Sequence, residues 1–204
     1  MTTRLVVATR NLGKAAELRR ILADLPVELL DADDVGLPEV EETATTFTAN
    51  ARAKARSAAT ASGLPSVADD SGLVVDALGG DPGVHSARYA GRHGDDDANL
   101  RLVLERMRGV GNRRARFVCV AALAAPDGRE WTAEGVVEGT LTEVPRGVGG
   151  FGYDPVFVPL GETRTTAEMP AQDKDAISHR GRAFRALRGA VEALIGHPPP
   201  ATRA

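Results

Sequence analysis

The fold is decided early, by the stretch Leu5-Val6-Val7-Ala8-Thr9-Arg10-Asn11-Leu12-Gly13-Lys14. Its first four residues are apolar and predict a short buried strand, and the polar residues after them predict a turn. Apolar residues then recur at the i, i+3, i+4 and i+7 spacing of one helix face, at Leu18, Ile21, Leu22 and Leu25. A helix is therefore expected to begin near Lys14 and to end at Pro26.

Strands and helices continue to alternate beyond this unit. A strand is predicted at Val27 to Leu30, and a helix capped by Thr45 or Thr46 should reach about Ala61 and close at Gly63. Strand pieces are predicted next at 66–68 and 73–77, on either side of a turn at 69–72. A helix capped within 95–97 follows, and then a hairpin of 116–125 with 130–139. The last predicted helix covers 180–195. This order predicts an α/β fold with a mixed sheet and flanking helices.

Domain organisation follows from length and continuity. The 204 residues suit one domain, or two lobes that share a cleft. Neither an internal repeat nor a linker interrupts the pattern. Residues 1–196 are therefore expected to form a single domain, followed by a disordered tail at 197–204.

Composition narrows the classes of protein. Hydrophobic residues make up 43% and charged residues 26% of the chain, as in ordinary soluble globular proteins. The net charge of −3 argues against a nucleic-acid binder, which would carry a basic excess. The apolar start is too short for a signal peptide, and no run approaches the length of a membrane span, so a cytoplasmic protein without a membrane partner is expected. The single cysteine, Cys119, lies in an apolar segment that favours a buried, inert thiol.

The turn from Thr9 to Lys14 is a candidate anion site. Backbone N–H groups at a helix start and the helix dipole favour negative charge, and Lys14 adds a full positive charge. The Walker A spacing is absent, however. Taken alone, this turn is explained more simply by a capped helix with a surface lysine.

Two acidic pairs could bind a divalent cation, namely Glu41-Glu42 and Asp69-Asp70. Mg²⁺ usually takes one or two carboxylates together with substrate phosphates and water. One carboxylate could bind the metal while its neighbour accepts a proton from water. The alternative is that these residues are solvated charges, with 69–72 as a simple turn. The apolar residues on both sides favour carboxylates at the end of a sheet.

Two later groups could hold a nucleoside. In Gly149-Gly150-Phe151-Gly152-Tyr153-Asp154-Pro155, glycines let a ligand approach closely, Phe151 could stack on a base, and Asp154 could bond its edge. A turn with two buried rings is the alternative. Lys174 and Ser178-His179-Arg180-Gly181 precede the last helix, where His179 and Arg180 offer donors to keto oxygens or phosphates.

Taken together, these groups resemble the inosine/xanthosine triphosphate pyrophosphatase family, which acts on non-canonical purine nucleotides. The resemblance extends from Leu5 to about Leu194. The matching motifs are Thr9, Asn11 and Lys14; Glu41-Glu42-Thr43; Asn50 to Ala55; Ala68 to Leu73; Ser86 to Tyr89; Phe151 to Pro155; and Ser178 to Gly181. Each motif alone is only suggestive, but their common order makes coincidence very unlikely.

The resemblance implies an elongated, two-lobed mixed α/β fold around a central active-site cleft, usually as a homodimer. It implies hydrolysis of inosine, deoxyinosine or xanthosine triphosphate (ITP, dITP, XTP) to the monophosphate and pyrophosphate, with Mg²⁺ as cofactor and Mn²⁺ as a substitute. Asp70 would be the proton acceptor and a metal ligand, with Glu42 and Asp69 supporting the metal. The substrate would be held by Thr9, Arg10, Asn11, Leu12, Gly13, Lys14, Lys54, Ser71, Phe151, Gly152, Tyr153, Asp154, Lys174, His179 and Arg180.

Two departures and three rival functions accompany this resemblance. Arg10 stands where relatives often carry Gly, and Ala49 where they often carry Glu. Arg10 either adds charge near the phosphates or faces solvent. The rivals are a serine hydrolase built on Ser71, His179 and Asp70, which lacks the Gly-x-Ser-x-Gly elbow, a nucleotide sensor without catalysis, and a pyrophosphatase for damaged pyrimidine nucleotides.

Overall fold

A computed structural model describes residues 3–196 of the chain. It contains a six-stranded sheet in the order β2-β1-β3-β4-β5-β6. The strands are β1 (Thr3–Val7), β2 (Val27–Asp31), β3 (Ser66–Val75), β4 (Arg114–Ala124), β5 (Glu130–Leu141) and β6 (Phe157–Pro159). β1 pairs in parallel with β2 and β3, whereas β5 and β6 are antiparallel. The predicted mixed sheet is confirmed. The predicted tail at 197–204 lies outside the described residues.

In the described part of the chain, five α-helices flank the strands. They are α1 (Leu12–Ile21), α2 (Phe47–Ser62), α3 (Asp96–Arg106), α4 (Ala171–Ile177) and α5 (His179–Gly196). The ends of α2 follow the sequence, because the Thr46 hydroxyl accepts the Ala49 N–H and Gly63 adopts a positive φ of 66°. Within residues 3–196, no helix is both long enough and apolar enough to cross a membrane.

The chain divides into two compact units. Within the described residues, the first unit comprises 3–70, 120–133 and 183–196, and the second comprises Ser71–Cys119 and Glu134–Arg182. In the first unit, small side chains allow α2 to pack closely, with Ala51, Ala55 and Ala59 against Ala68 of β3 and Val120, Ala122 and Ala124 of β4. The second unit has a core of larger side chains, including Leu73, Val103, Met107, Phe117 and Phe157.

One local prediction was wrong. Residues 69–72 do not form a turn, since β3 runs without interruption from Ser66 to Val75. Gly72 is required there for close packing: a Cβ atom at this position would lie 2.2 Å from the Gly83 carbonyl oxygen. Lys174 precedes the last helix as expected and lies in α4, which the sequence did not predict because a seven-residue helix is too short to show a clear apolar period. The start of α1 also shifts, from Lys14 to Leu12, because Asn11 caps it.

An ion-pair cluster connects α2 to the start of β5 in the first unit. Arg52 Nε donates to Glu130 Oε2 at 2.8 Å, and Arg56 Nε donates to Glu130 Oε1 at 2.5 Å. The hydrogen bond from Arg56, supported by Arg52, lowers the pKa of Glu130 to about 2. A carboxyl whose folded pKa is depressed stabilises the protein above its unfolded pKa, and this contribution is lost as the pH falls through the folded value.

We expect Glu130→Gln to lower the free energy of unfolding at neutral pH by less than about 1 kcal/mol, since solvent screens the half-exposed arginines. The difference from the wild type should shrink as the pH falls from about 4.3, an ordinary glutamate pKa, towards about 2. Urea unfolding across this pH range measures it. Glu134→Gln, an exposed site on the same strand, is the control. A difference between Glu130→Gln and wild type that is independent of pH would contradict the assignment.

Candidate active site

A cluster of carboxylates and lysines lies at β3 in the first unit. Asp69 and Asp70 are consecutive on the strand and are only 2% and 3% exposed. Lys14 Nζ lies 3.2 Å from Asp69 Oδ2. Lys54 Nζ lies 3.6 Å from Asp70 Oδ1 and 2.5 Å from Glu42 Oε1. The helices α1 and α2 therefore bring both lysines that the sequence singled out to the predicted acids.

Asn50 belongs to this cluster, although it was not among the predicted site residues. Its side-chain nitrogen donates to Asp70 Oδ2 at 2.9 Å, and the same amide group exchanges two hydrogen bonds with the backbone of Ala44. Asn50 is 2% exposed. It thus fixes the Asp70 carboxylate and ties the 41–44 segment to α2. The i, i+4 spacing with Lys54 was the available sequence signal.

The electrostatics of the cluster make Asp70 a better base than an ordinary aspartate. Burial raises its pKa above the usual value, and this effect outweighs the opposing charges of Lys54 and Lys14. Burial alone would lower the pKa of Lys54, but Asp70, Asp69 and Glu42 together raise it above its ordinary value. Lys54 therefore stays positively charged at neutral pH beside a carboxylate with increased proton affinity.

The predicted anion turn is accessible and shaped by its own side chains. The Asn11 side chain caps α1 by accepting the Lys14 N–H at 2.9 Å, and Thr9 Oγ1 accepts the Asn11 N–H at 3.2 Å. Arg10 is half exposed, and its guanidinium donates to the Leu37 carbonyl at 2.5 Å. Arg10 thus connects the turn to the loop that follows β2 instead of simply facing solvent. Leu12 is exposed at the first position of the helix.

The second unit contains the residues that were predicted to bind a nucleoside, and they are arranged around Asp154. Its Oδ2 accepts the Phe151 N–H at 2.8 Å and the Lys174 ammonium group, while its Oδ1 accepts the Thr166 hydroxyl at 2.8 Å. A carboxylate offers about four acceptor sites, so these donors take most of its capacity. Asp154 is therefore connected to Lys174 and to the 151–154 loop, and its predicted bond to a base edge stays a prediction. Thr166 was not predicted from the sequence.

Tyr153 and Gly152 anchor the same loop. The Tyr153 hydroxyl donates to the Ser86 carbonyl at 2.8 Å, and the Gly152 N–H donates to Asp96 Oδ2 at 2.8 Å. Burial raises the pKa of Tyr153, so its hydroxyl remains a donor. The aromatic ring left partly accessible in the loop is that of Phe151. Its centroid lies 5.0 Å from Lys174 Nζ and 5.8 Å from Arg180 Cζ.

His179 and Arg180 are buried at the start of α5. Arg180 is 1% exposed, and its Nη2 donates to Ser71 Oγ at 2.7 Å. His179 is 7% exposed and stacks on Phe117. An arginine has no acceptor and keeps its charge, so it cannot take a proton from Ser71. This contact argues against Ser71 as the nucleophile of a serine hydrolase.

The carboxylates fit a magnesium ion as part of a site that the substrate completes. Among residues 3–196, no group of three or more His, Cys, Asp or Glu side chains could hold a metal by itself. The Lys54 ammonium nevertheless contacts both Glu42 and Asp70, so these two carboxylates face one small cation. Two carboxylates with phosphate oxygens and water are an ordinary ligand set for Mg²⁺.

Comparisons with known proteins agree with this fold. The sequence model that describes the Ham1 family matches residues 5–190 of this chain. A dITP/XTP pyrophosphatase of Streptomyces coelicolor is 57% identical over 199 residues, which cover 95% of this chain and 100% of that protein. A dITP/XTP pyrophosphatase of Deinococcus deserti is 54% identical, with 95% and 91% coverage. A HAM1 protein structure from Coxiella burnetii aligns with a TM-score of 0.85 at 41% identity, covering 94% and 100% of the two chains.

The chain is therefore a mixed α/β protein with a buried acid–lysine cluster, and it belongs to the Ham1 family. A Mycobacterium abscessus structure titled nucleoside-triphosphatase and dITP/XTP pyrophosphatase is 49% identical to it. That structure aligns with a TM-score of 0.73 over 91% of this chain and 98% of the other. The family resemblance drawn from the motifs is thus confirmed.

Asn50→Leu should reduce the specificity constant of the enzyme by about 10- to 100-fold, the usual cost of removing a group that orients a metal or catalytic carboxylate. Asp70 would keep its charge but lose the 2.9 Å bond that fixes it. Steady-state kinetics at saturating metal measures the loss. Thr46→Ala removes the cap of the same helix and controls for helix stability. Equal activities in Asn50→Leu and the control would show that Asp70 needs no such support.

Proposed function

We propose that this protein is a nucleoside-triphosphate pyrophosphatase that hydrolyses the non-canonical purine nucleotides ITP, dITP and XTP, keeping them out of DNA and RNA. The observation that carries the proposal is the buried Asp70 carboxylate, which has a raised pKa and lies beside Lys54 and Asn50. The dITP/XTP pyrophosphatase relatives, which match the chain over nearly its full length, support the choice of reaction and substrate. A cytoplasmic location and a homodimer stay predictions.

The proposed reaction is an attack of water on the α-phosphorus. Asp70 accepts the proton, a new bond forms between the water oxygen and the α-phosphorus, and the bond from that phosphorus to the α–β bridging oxygen breaks. The products are the nucleoside monophosphate and pyrophosphate. Lys14, Lys54 and the turn at 9–14 bind the phosphates, so their charges stand where negative charge develops. The raised pKa of Asp70 increases its affinity for the proton.

Glu42 and Asp70, with Asp69 in support, would hold Mg²⁺, and Mn²⁺ would serve in its place. The bound ion supplies positive charge against the phosphate oxygens, which lowers the cost of the charge that builds up during hydrolysis. Lys54 contributes by pairing with both the Glu42 and the Asp70 carboxylate. Ser71, next to Asp70 on β3, is proposed to contact the substrate through the hydroxyl that Arg180 orients.

Base recognition is assigned to the second unit. Phe151 offers a ring face for stacking, beside the cationic groups of Lys174 and Arg180. Hypoxanthine and xanthine carry a 6-keto oxygen that accepts from His179 or Arg180, whereas adenine presents an amino group there. A buried donor facing that amino group would lack an acceptor, and such mismatches are strongly rejected. Asp154 and Tyr153 contribute by holding the loop.

A pyrophosphate-release screen tests the proposal. ITP, dITP, XTP, ATP, GTP and dUTP are compared with Mg²⁺, with Mn²⁺ and with chelator, and the products are separated to identify the bond cleaved. We expect ITP, dITP and XTP to give monophosphate and pyrophosphate only when metal is present. Preference for dUTP would favour the pyrimidine alternative. Binding without turnover would favour a sensor, and full activity in chelator would refute the metal assignment.

Asp70→Asn keeps the size of the side chain but removes its charge and its capacity to accept a proton. Turnover of ITP should fall by roughly two to four orders of magnitude, the usual scale for losing a positioned acid–base group. Single-turnover kinetics separates this loss from slow product release. Asp76→Asn, in an exposed pair with Arg116, is the matched control and should stay near wild type. Near-normal turnover in Asp70→Asn would assign the base elsewhere.

The base assignment predicts different effects for two alanine variants. His179→Ala should lower kcat/KM for ITP more than for ATP, because only the 6-keto base uses the donor. Lys14→Ala should lower both values by similar factors, since the phosphates are common to both nucleotides. A two-by-two comparison of specificity constants measures this. Equal losses for both nucleotides in His179→Ala would place base selection on other residues.

A further inference from the structure

We propose that Phe117 is the positioning residue for His179, and that the ring stack between them contributes to selection of the 6-keto base. The inference rests on the proposed function, because it concerns how the same enzyme distinguishes inosine from adenosine nucleotides. Phe117 lies on β4, 62 positions before His179 in the sequence. Its role emerges only from the packing of the second unit.

The geometry of the pair is that of a parallel stack. The ring centroids of Phe117 and His179 lie 4.7 Å apart, and the ring planes differ by 10°. Both side chains are buried, at 8% and 7% exposure. A flat partner at this distance prevents the imidazole from turning about its terminal side-chain bond, which is a broad, weakly restricted torsion in histidine. The stack therefore holds the ring plane of His179.

Phe117 is itself held rigidly. Phe157, which is fully buried, meets it in an edge contact with centroids 4.6 Å apart and planes at 63°. Both phenylalanines belong to the buried cluster of the second unit, together with Leu73 and Val75 of β3. Because the core fixes the Phe117 ring, this ring can in turn hold the imidazole of His179 in place.

Fixing this plane matters because both nitrogens of an imidazole bond in the plane of the ring. A donor N–H directed along that plane meets an acceptor only when the plane contains the acceptor, since hydrogen bonds weaken steeply away from linearity. Free rotation would spread the donor over many directions and reduce the difference between a keto oxygen and an amino group. Phe117 thus acts on specificity through His179, without a substrate contact of its own.

Phe117→Leu tests the inference, because leucine remains apolar but has no planar face. The ratio of kcat/KM for ITP to that for ATP should fall by roughly 2- to 10-fold, the factor that corresponds to the usual worth of an aromatic pair. Val103→Ala removes apolar atoms from the same buried cluster but leaves its aromatic rings in place, so its ratio should stay near wild type. If Phe117→Leu does not fold, Phe117→Met fills the space with a flexible side chain and serves instead.

A double-variant cycle separates positioning from general damage to the core. In the His179→Ala background, Phe117→Leu should leave the ITP-to-ATP ratio unchanged, because the group through which Phe117 acts is absent. An equal fall of the ratio in both backgrounds would overturn the inference. A purely structural role would lower stability in either background without this dependence on His179.

Histidine NMR gives a readout independent of activity. The chain has four histidines, so the His179 ring signals are assigned by their loss in His179→Ala. In the wild type they should be shifted upfield by the stacked Phe117 ring, and the shift should vanish in Phe117→Leu and persist in Val103→Ala. A shift that survives in Phe117→Leu overturns the stack. A wild-type enzyme with the upfield signals but no preference for ITP refutes the proposed function, and the specificity role with it. A wild-type preference that Phe117→Leu leaves unchanged overturns the positioning role alone.

Discussion

Two neighbouring carboxylates in the middle of a buried strand impose the main constraint on the first unit. A charge removed from water is costly unless it is paired and hydrogen-bonded. Asp69 is paired with Lys14 of α1, whereas Asp70 is paired with Lys54 of α2 and accepts a hydrogen bond from Asn50. The positions of both helices against β3 are therefore tied to the same contacts that, under the proposed function, prepare Asp70 for proton transfer. Stability and the proposed chemistry depend on one set of interactions.

In the second unit, the buried charge that requires a partner is positive. Here the buried cation is Lys174, and Asp154 supplies the opposite charge while Thr166 and the Phe151 N–H satisfy its remaining capacity. The loop folds tightly around this carboxylate, since a Cβ atom on Gly150 would lie 2.0 Å from Asp154 Oδ2. A Cβ atom on Gly147 would lie 2.5 Å from the Ala167 backbone. These glycines are thus required by packing within the protein, not only by the approach of a ligand.

Local patterns predicted most elements of the fold, because capping and apolar periodicity act over a few residues. Thr46 and Gly63 bound α2 as expected, and the last helix was found from its apolar stripe. The predicted turn at 69–72 failed for a physical reason. Asp, Ser and Gly favour turns when only neighbours are considered, but Lys14, Lys54 and Arg180 stabilise these polar residues within a strand. Those partners are distant in sequence.

The same distinction explains which candidate site residues could be predicted. Residues that act through a charge or a motif, such as Lys14, Lys54 and Asp70, are visible in the sequence. Phe117 lies in an apolar strand and looks like any core residue, yet it carries the ring that faces His179. Under the proposed function, charged groups bind the phosphates over a wide range of geometries because Coulomb forces vary slowly with direction. Discrimination between a keto oxygen and an amino group depends on direction instead, and direction is set by packing. Base selectivity should therefore be more sensitive than phosphate binding to changes in the core of the second unit.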